Sequence, residues 1–103
     1  MSSLALDRHG WLRHHPKAAH APSPNHDTRP QGIDPVLLVV HNISLPPGIF
    51  GGTEVVDLFL NRLDYSSHPW LPRLRGLRVS AHFFVRRDGT VVQFVSSEQR
   101  AWH

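Results

Sequence analysis

Residues 81–95, which read AHFFVRRDGTVVQFV, are the most informative part of this sequence for its fold. Two apolar runs, rich in β-branched and aromatic residues, lie on either side of Asp88-Gly89. An Asp-Gly pair suits a tight hairpin turn because such a turn needs a positive φ at its centre. The stretch therefore predicts a β-hairpin with strands near 81–86 and 90–95.

A second apolar run lies upstream at residues 36–40, which read VLLVV. It is bounded by Pro35 on one side and by His41-Asn42 on the other. Five residues are too few for a buried helix, and a continuous run of this kind is typical of a strand covered on both faces. We therefore predict a central, buried strand over 36–40.

A helix is predicted between the central strand and the hairpin. Residues 42–52 are rich in Pro and Gly and predict a loop. Thr53 can cap the helix that follows, and Glu54 in its first turn suits the helix dipole. One apolar face then follows at helical spacing, formed by Val55, Val56, Phe59, Leu60 and Leu63. Residues 64–77 predict a second loop with a short helical turn near Leu71–Leu74.

The first third of the chain is sparse in apolar residues and rich in proline. Proline fixes φ and removes a hydrogen-bond donor. We therefore expect residues 1–35 to form an irregular N-terminal arm, with one short strand near Gly10–Leu12 at most. Residues 36–103 are expected to form part of one domain.

The composition and charge of the chain exclude some kinds of site and some classes of function. The chain has 103 residues, no cysteine, a net charge of +3 and a sequence pI of about 10.6. The absence of cysteine excludes disulfides and thiolate metal sites. A basic chain suggests an anionic partner, but the arginines are spread out, which favours a solvated basic face over nucleic-acid binding. No apolar run has the length of a signal peptide or a membrane span, so we expect a soluble, cytoplasmic protein.

Among nine histidines, position selects His41. It ends the predicted central strand, and ligands of open α/β sheets bind beyond the carboxyl ends of strands. A neutral imidazole there could bind Zn²⁺. The alternative is a histidine that caps the strand by bonding a loop carbonyl, and spacing alone favours this alternative because no second ligand stands at a diagnostic offset. His82 is expected on the sheet, bonded to backbone, and His103 is the last residue.

Four blocks of sequence resemble the AmpD family of 1,6-anhydro-N-acetylmuramoyl-L-alanine amidases. The longest is HNISLPPG at residues 41–48, followed by Phe50-Gly51-Gly52. The others occur in the family's order, as PSPNHD at 22–27, LRVSAH at 77–82 with RRDG at 86–89, and RAWH at 100–103. The resemblance covers nearly the whole chain from Gly10 onward.

The resemblance implies an α/β fold of the peptidoglycan-recognition and amidase type, with a mixed central β-sheet flanked by helices, incomplete in this chain. It implies one Zn²⁺ in a groove and hydrolysis of the amide between the lactyl group and L-alanine of anhydro-muropeptides. The family acts in cytoplasmic peptidoglycan recycling. The expected partner is an anhydro-muropeptide, with no nucleic-acid or membrane partner, and the full-length protein is expected to be a monomer.

The resemblance also assigns residues. His41 matches the first zinc ligand, and Asn42, Arg78 and Trp102 match positions of the substrate groove. The other zinc ligands and the catalytic Glu and Lys of the family lie beyond this sequence, so the 103-residue chain is expected to be an inactive fragment. A non-catalytic muropeptide-binding module is the alternative. Purely structural roles also remain open for these three residues: loop hydrogen bonding for Asn42, surface charge for Arg78 and core packing for Trp102.

Overall fold

The structure is a computed structural model that describes residues 4–35 and 37–102. Its strands are short: β1 is Ala18–His20, β2 is His26–Thr28, β3 is Phe83–Val85, β4 is Val91–Gln93 and β5 is Gln99–Ala101. Helix α1 spans Glu54–Phe59, and a 3₁₀ helix spans Leu71–Leu74.

The strands form two small sheets. In the larger sheet the order is β1-β4-β3, with β1 parallel and β3 antiparallel to the central strand β4. In the smaller sheet, β2 pairs antiparallel with β5. The larger sheet is therefore mixed, and with few helices beside it the chain has part of an α/β architecture, as the sequence predicts.

The predicted hairpin is confirmed. Phe83 pairs with Gln93 and Val85 with Val91 across β3 and β4. Gly89 has φ +88°, as the turn requires. The Asp88 carboxylate accepts hydrogen bonds from the amide and the hydroxyl of Thr90 at 2.9 and 2.7 Å. These two bonds help to fix the turn. The strands are shorter than the sequence predicts.

Helix α1 is also shorter than predicted. Val55, Leu58 and Phe59 are buried on its inner face. Asn61 takes a left-handed conformation with φ 60°, which ends the helix before Leu63. The predicted side-chain cap by Thr53 is wrong, because its hydroxyl donates to the Asp57 carboxylate at 3.1 Å and makes no bond to the helix backbone.

The core lies between α1, the 3₁₀ helix and the chain after β4. Leu71 and Phe94 are fully buried, and the Phe59 and Phe94 rings meet edge to face with centroids 4.9 Å apart. Edge-to-face pairs add stabilisation beyond the area that they bury. The predicted helical turn at Leu71–Leu74 is confirmed, and it supplies one wall of this core.

The N-terminal residues are more regular than the proline content predicts. They contribute β1 and β2, whereas Leu12 forms only an isolated bridge with Leu6. The fully buried Gln93 side chain holds this part of the chain, since it accepts from the Leu12 amide at 2.6 Å and donates to the Gly10 carbonyl at 2.8 Å. These partners lie more than 80 positions away along the chain. The domain boundary at residue 35 stays a prediction.

The prediction of a buried central strand over 36–40 is wrong for the part that the structure describes. Leu37, Leu38, Val39 and Val40 form no strand and are 80, 85, 65 and 82 % exposed; Val36 lies outside the described residues. A strand needs neighbours that pair with its amides and carbonyls. Strand propensity is present in these residues, but no strand of the described chain pairs with them.

Candidate functional site

His41 lies at the end of the exposed segment 37–40 and is itself exposed. Its Nδ1 is 3.4 Å from the carbonyl of the adjacent Asn42. Across residues 4–35 and 37–102, no cluster of three or more His, Cys, Asp or Glu residues could hold a metal ion. A catalytic zinc site takes about three protein ligands. The described chain thus offers His41 as one possible donor and does not fit a complete zinc site.

The loop after Asn42 is better anchored than the segment before it. Leu45 is buried, and Ile43 packs partly against the core. The Ser44 hydroxyl accepts a hydrogen bond from the Gly48 amide at 2.8 Å. Asn42 is exposed. It therefore stands where the exposed segment joins a loop fixed by the core.

Arg78 and Trp102 come from distant parts of the sequence and lie on neighbouring segments. The Ser80 amide donates to the Trp102 carbonyl at 2.5 Å, which places the chain around Arg78 beside the end of β5. Both side chains are exposed, Trp102 to 36 %. This exposure disfavours core packing as the role of Trp102.

A buried amide ties these segments together. Asn25 is 1 % exposed. Its side chain donates to the Val79 carbonyl at 2.8 Å and exchanges hydrogen bonds of 2.8 and 2.9 Å with Asn61. Its backbone carbonyl accepts from the Ser80 hydroxyl at 2.6 Å and from the Trp102 amide at 3.2 Å. Sequence reasoning assigned no role to Asn25, because these partners are far along the chain and no spacing relates them.

Asp27 in β2 is paired across the strands with Arg100 of β5. Its carboxylate accepts from Arg100 Nε at 2.6 Å and from a terminal nitrogen of the same guanidinium. These bonds and the nearby positive charge of Arg100 hold the pKa of Asp27 below its usual value. The same pair raises the pKa of Arg100. Asp27 also had no role assigned from the sequence.

The remaining histidine candidates are not placed as ligands. His82 is half-buried in the segment before β3, and its Nε2 lies 2.8 Å from the Gln99 carbonyl. This confirms the expectation of a histidine bonded to backbone. His103 lies outside the described residues.

Basic charge is distributed over the surface. Arg87 stacks on Phe50, with its guanidinium carbon 3.6 Å from the ring centroid, and Arg75 lies 5.0 Å from the Tyr65 ring. Such cation–π contacts order a guanidinium without neutralising it. The arginines therefore form several separate contacts, consistent with a solvated basic face.

The predicted site residues fall into two groups. Arg78 and Trp102 are brought together through Ser80. Within the described chain, we find no hydrogen bond, ion pair or ring contact that joins either of them to His41 or Asn42.

The described residues also include no helix long and apolar enough to cross a membrane.

Comparison with known proteins gives one consistent result. Over 100 residues the chain is 51 % identical to the 1,6-anhydro-N-acetylmuramyl-L-alanine amidase AmpD of Citrobacter freundii, covering 97 % of this chain and 51 % of that protein. The AmpD of Escherichia coli K12 is 51 % identical over 94 residues, which cover 91 % of this chain and 50 % of that protein. The chain thus spans about half the length of the relatives that it matches.

Comparison with solved structures finds the same relatives. The crystal structure of a selenomethionine derivative of AmpD superposes with a TM-score of 0.87 at 50 % identity, over 96 % of this chain and 53 % of that one. The solution structure of Citrobacter freundii AmpD gives a TM-score of 0.55 at 50 % identity, over 96 % of this chain and 51 % of that one. Residues 31–103 match the pattern that defines the N-acetylmuramoyl-L-alanine amidase family. The chain belongs to the N-acetylmuramoyl-L-alanine amidase family.

Proposed function

We propose that this chain supplies the N-terminal part of a zinc-dependent amidase that hydrolyses the lactyl–L-alanine amide of anhydro-muropeptides in peptidoglycan recycling. The observation that carries the proposal is the identity of about 50 % to AmpD proteins over nearly the whole chain. The relatives are named for this substrate class. A cytoplasmic location and a monomeric full-length protein belong to the same proposal.

His41 is the proposed zinc ligand. It stands in the HNISLPPG block and beside a loop that is anchored on the core. One imidazole binds zinc weakly. The mechanism also needs a carboxylate that moves protons between water and the leaving amine, and His41 cannot supply it. The 103-residue chain on its own is therefore expected to be inactive.

Asn42, Arg78 and Trp102 are the proposed substrate-binding residues. A partly exposed indole can cover the apolar face of a sugar ring, and a guanidinium can pair with a carboxylate of the stem peptide. The hydrogen bond between Ser80 and Trp102 supports a shared role for Arg78 and Trp102. Asn42, next to His41, would contact the substrate near the metal.

The first test joins residues 1–103 to the rest of Citrobacter freundii AmpD and measures release of L-alanine-linked peptide from an anhydro-muropeptide with zinc supplied. We expect the fusion protein to be active and the 103-residue chain to release no peptide. In the fusion protein, His41→Ala should reduce turnover by about 1,000-fold, since a lost ligand removes several kcal/mol of metal stabilisation of the transition state.

The matched control is His14→Ala, which removes another exposed histidine and should leave turnover of the fusion protein unchanged. Measured turnover by the 103-residue chain would show that the proposed dependence on distal residues is wrong. Equal activity of the His41→Ala and unmodified fusion proteins would reject His41 as a ligand.

The second candidate function is a non-catalytic muropeptide-binding module. It is favoured by the separation of His41 from the paired segments of Arg78 and Trp102. In that case the 103-residue chain binds anhydro-muropeptide by isothermal titration, and Trp102→Ala weakens binding at least about tenfold, the usual effect of removing an aromatic contact residue. Absence of heat of binding would reject this candidate.

A further inference from the structure

The segment that carries Arg78 is bonded directly to the segment that carries Trp102. The Ser80 amide donates to the Trp102 carbonyl at 2.5 Å. Ser80 is 2 % exposed, and a hydrogen bond is stronger where water has little access to it. Arg78 and Trp102 are both exposed. Their positions relative to each other therefore depend on how these two segments are held.

Asn25 bonds to both segments through different groups. Its side-chain amide donates at 2.8 Å to the carbonyl of Val79, the residue after Arg78. Its backbone carbonyl accepts from the Ser80 hydroxyl at 2.6 Å and from the Trp102 amide at 3.2 Å. One residue thus connects the two segments, and its place in the fold sets where both of them lie.

Asn25 is itself anchored at the end of helix α1. It is 1 % exposed, and its side chain exchanges hydrogen bonds of 2.8 and 2.9 Å with Asn61, which follows the helix. Its amide donates to the Ser23 hydroxyl at 3.0 Å, and that hydroxyl donates to the Phe59 carbonyl of α1 at 2.5 Å. A buried amide in such a network can shift only by breaking several hydrogen bonds at once.

A fixed spacing matters for binding because Arg78 and Trp102 offer different chemistry to a ligand. Within the described residues, Arg78 makes no ion pair and no side-chain hydrogen bond, so its guanidinium is available to a carboxylate. The indole of Trp102 can cover an apolar surface. A ligand that contacts both binds more tightly when their spacing is already set, because binding then has fewer groups to order.

We propose that Asn25 is a positioning residue that holds the Arg78 and Trp102 segments at a fixed spacing, so that both side chains contact one muropeptide molecule. The inference deepens the proposed function and rests on it for the ligand and for the binding roles of Arg78 and Trp102. Asn25 is buried and acts through the backbone groups that it bonds, without touching the ligand.

The first measurement is hydrogen exchange of backbone amides in the ¹⁵N-labelled 103-residue chain, which needs no ligand. The Ser80 amide reports on the contact between the two segments, and the Val91 amide, bonded to the Lys17 carbonyl at 2.7 Å, is the reference. We expect Asn25→Ala to accelerate exchange of the Ser80 amide at least about tenfold relative to Val91, because local opening becomes easier. General destabilisation would accelerate both amides alike, and an unchanged ratio would overturn the proposal.

The second measurement is the Kd for anhydro-muropeptide by isothermal titration, at a temperature where circular dichroism shows each variant folded. We expect Asn25→Ala to weaken binding about fivefold, since the ligand must then order the two segments. Ser80→Ala removes only the hydroxyl bond to the Asn25 carbonyl and should weaken binding in the same direction. It decides the outcome if Asn25→Ala does not fold. Binding as tight as that of the unmodified chain would overturn the proposal.

The matched control is Ser96→Ala, which also removes a buried serine hydroxyl bonded to a backbone carbonyl, here that of His9 at 2.5 Å. It should leave the exchange ratio and the Kd unchanged. Equal weakening of binding in Ser80→Ala and Ser96→Ala would trace the effect to lost stability and reject the positioning role. Absence of binding by the unmodified chain would overturn the proposed binding residues, whereas a Kd unaffected by Asn25→Ala would overturn only this inference.

Discussion

At the scale of single residues, Asn25 and Asp27 are close along the chain but have different environments. Asn25, just before the strand, is buried and fully hydrogen-bonded, which a buried amide requires because an unpaired polar group is costly. Asp27 is near the surface and paired with Arg100. A solvent-exposed ion pair contributes little stability by itself.

The Asp27 carboxylate makes acid stability testable. Its pKa is lowered from 3.8, first by the Arg100 hydrogen bond. A lowered folded-state pKa stabilises the protein above pH 3.8, and this stabilisation is lost as pH falls through the folded value. We expect Asp27→Asn to lose less unfolding free energy than the unmodified chain when urea denaturation is repeated at falling pH below 3.8.

Three other aspartates also have a lowered pKa. The loss of unfolding free energy at low pH should therefore become smaller in Asp27→Asn but should not disappear. Hydrogen bonds also lower the pKa of Asp7, Asp64 and Asp88, chiefly those from the Trp11 amide, the Ser66 side chain and the Thr90 side chain respectively. Asp88→Asn should therefore also reduce, in part, the loss of unfolding free energy at low pH. An unchanged slope in Asp27→Asn would mean that its ion pair is not formed in solution.

At the scale of elements, turn glycines decide where the strands can meet. Gly89 and Gly10 have nearly the same backbone, with φ +88° and +80°. Their surroundings differ. Nothing lies within 4 Å of a Cβ added to Gly89, whereas a Cβ at Gly10 would lie 2.5 Å from Ser96 Oγ and 2.9 Å from the Ser97 amide.

Alanine substitutions at these two glycines distinguish the cost of a left-handed backbone from the cost of a steric overlap with neighbouring atoms. Gly89→Ala should destabilise the chain by about 1–2 kcal/mol through the left-handed backbone alone. Gly10→Ala adds an overlap with the segment after β4 and should cost about 3 kcal/mol or more. Chemical denaturation of both variants measures the difference, and equal losses would contradict the close contact of the N-terminal residues with Ser96–Ser97.

At the scale of the whole molecule, the main feature is apolar surface that the described chain does not cover. Residues 37–40 are exposed, and Phe83 and Val85 are exposed on the edge strand β3 at 39 and 65 %. Contiguous exposed apolar residues promote association between molecules. The largest exposure of apolar side chains falls on residues 37–40.

Replacing two of these residues tests whether they are exposed in solution. The double variant Leu38→Ser, Val40→Ser should change the unfolding free energy by no more than about 0.5 kcal/mol, as surface substitutions do. It should also lower aggregation measured by light scattering. The buried control Leu71→Ala, at a position with no exposed surface, should cost about 2–5 kcal/mol. A loss of that size in the double variant would mean that 37–40 is a buried strand.

Features that depend only on neighbouring residues could be predicted from the amino-acid sequence. The Asp-Gly hairpin, the loop of residues 42–52 and the turn at Leu71–Leu74 follow from local backbone preferences, and each is present. The four sequence blocks also identified the family, because identity of residues in order needs no knowledge of contacts.

The pairing of distant segments is seen only in the folded chain. The fold joins β1 to β4 and β2 to β5, bonds the Gln93 side chain to the Leu12 amide, and brings Asp27 to Arg100. It also leaves residues 37–40 uncovered despite their strand propensity. The reason in each case is that a hydrogen-bonding partner far along the chain carries no signal in the local pattern of residues, and a strand forms only where such a partner is in place.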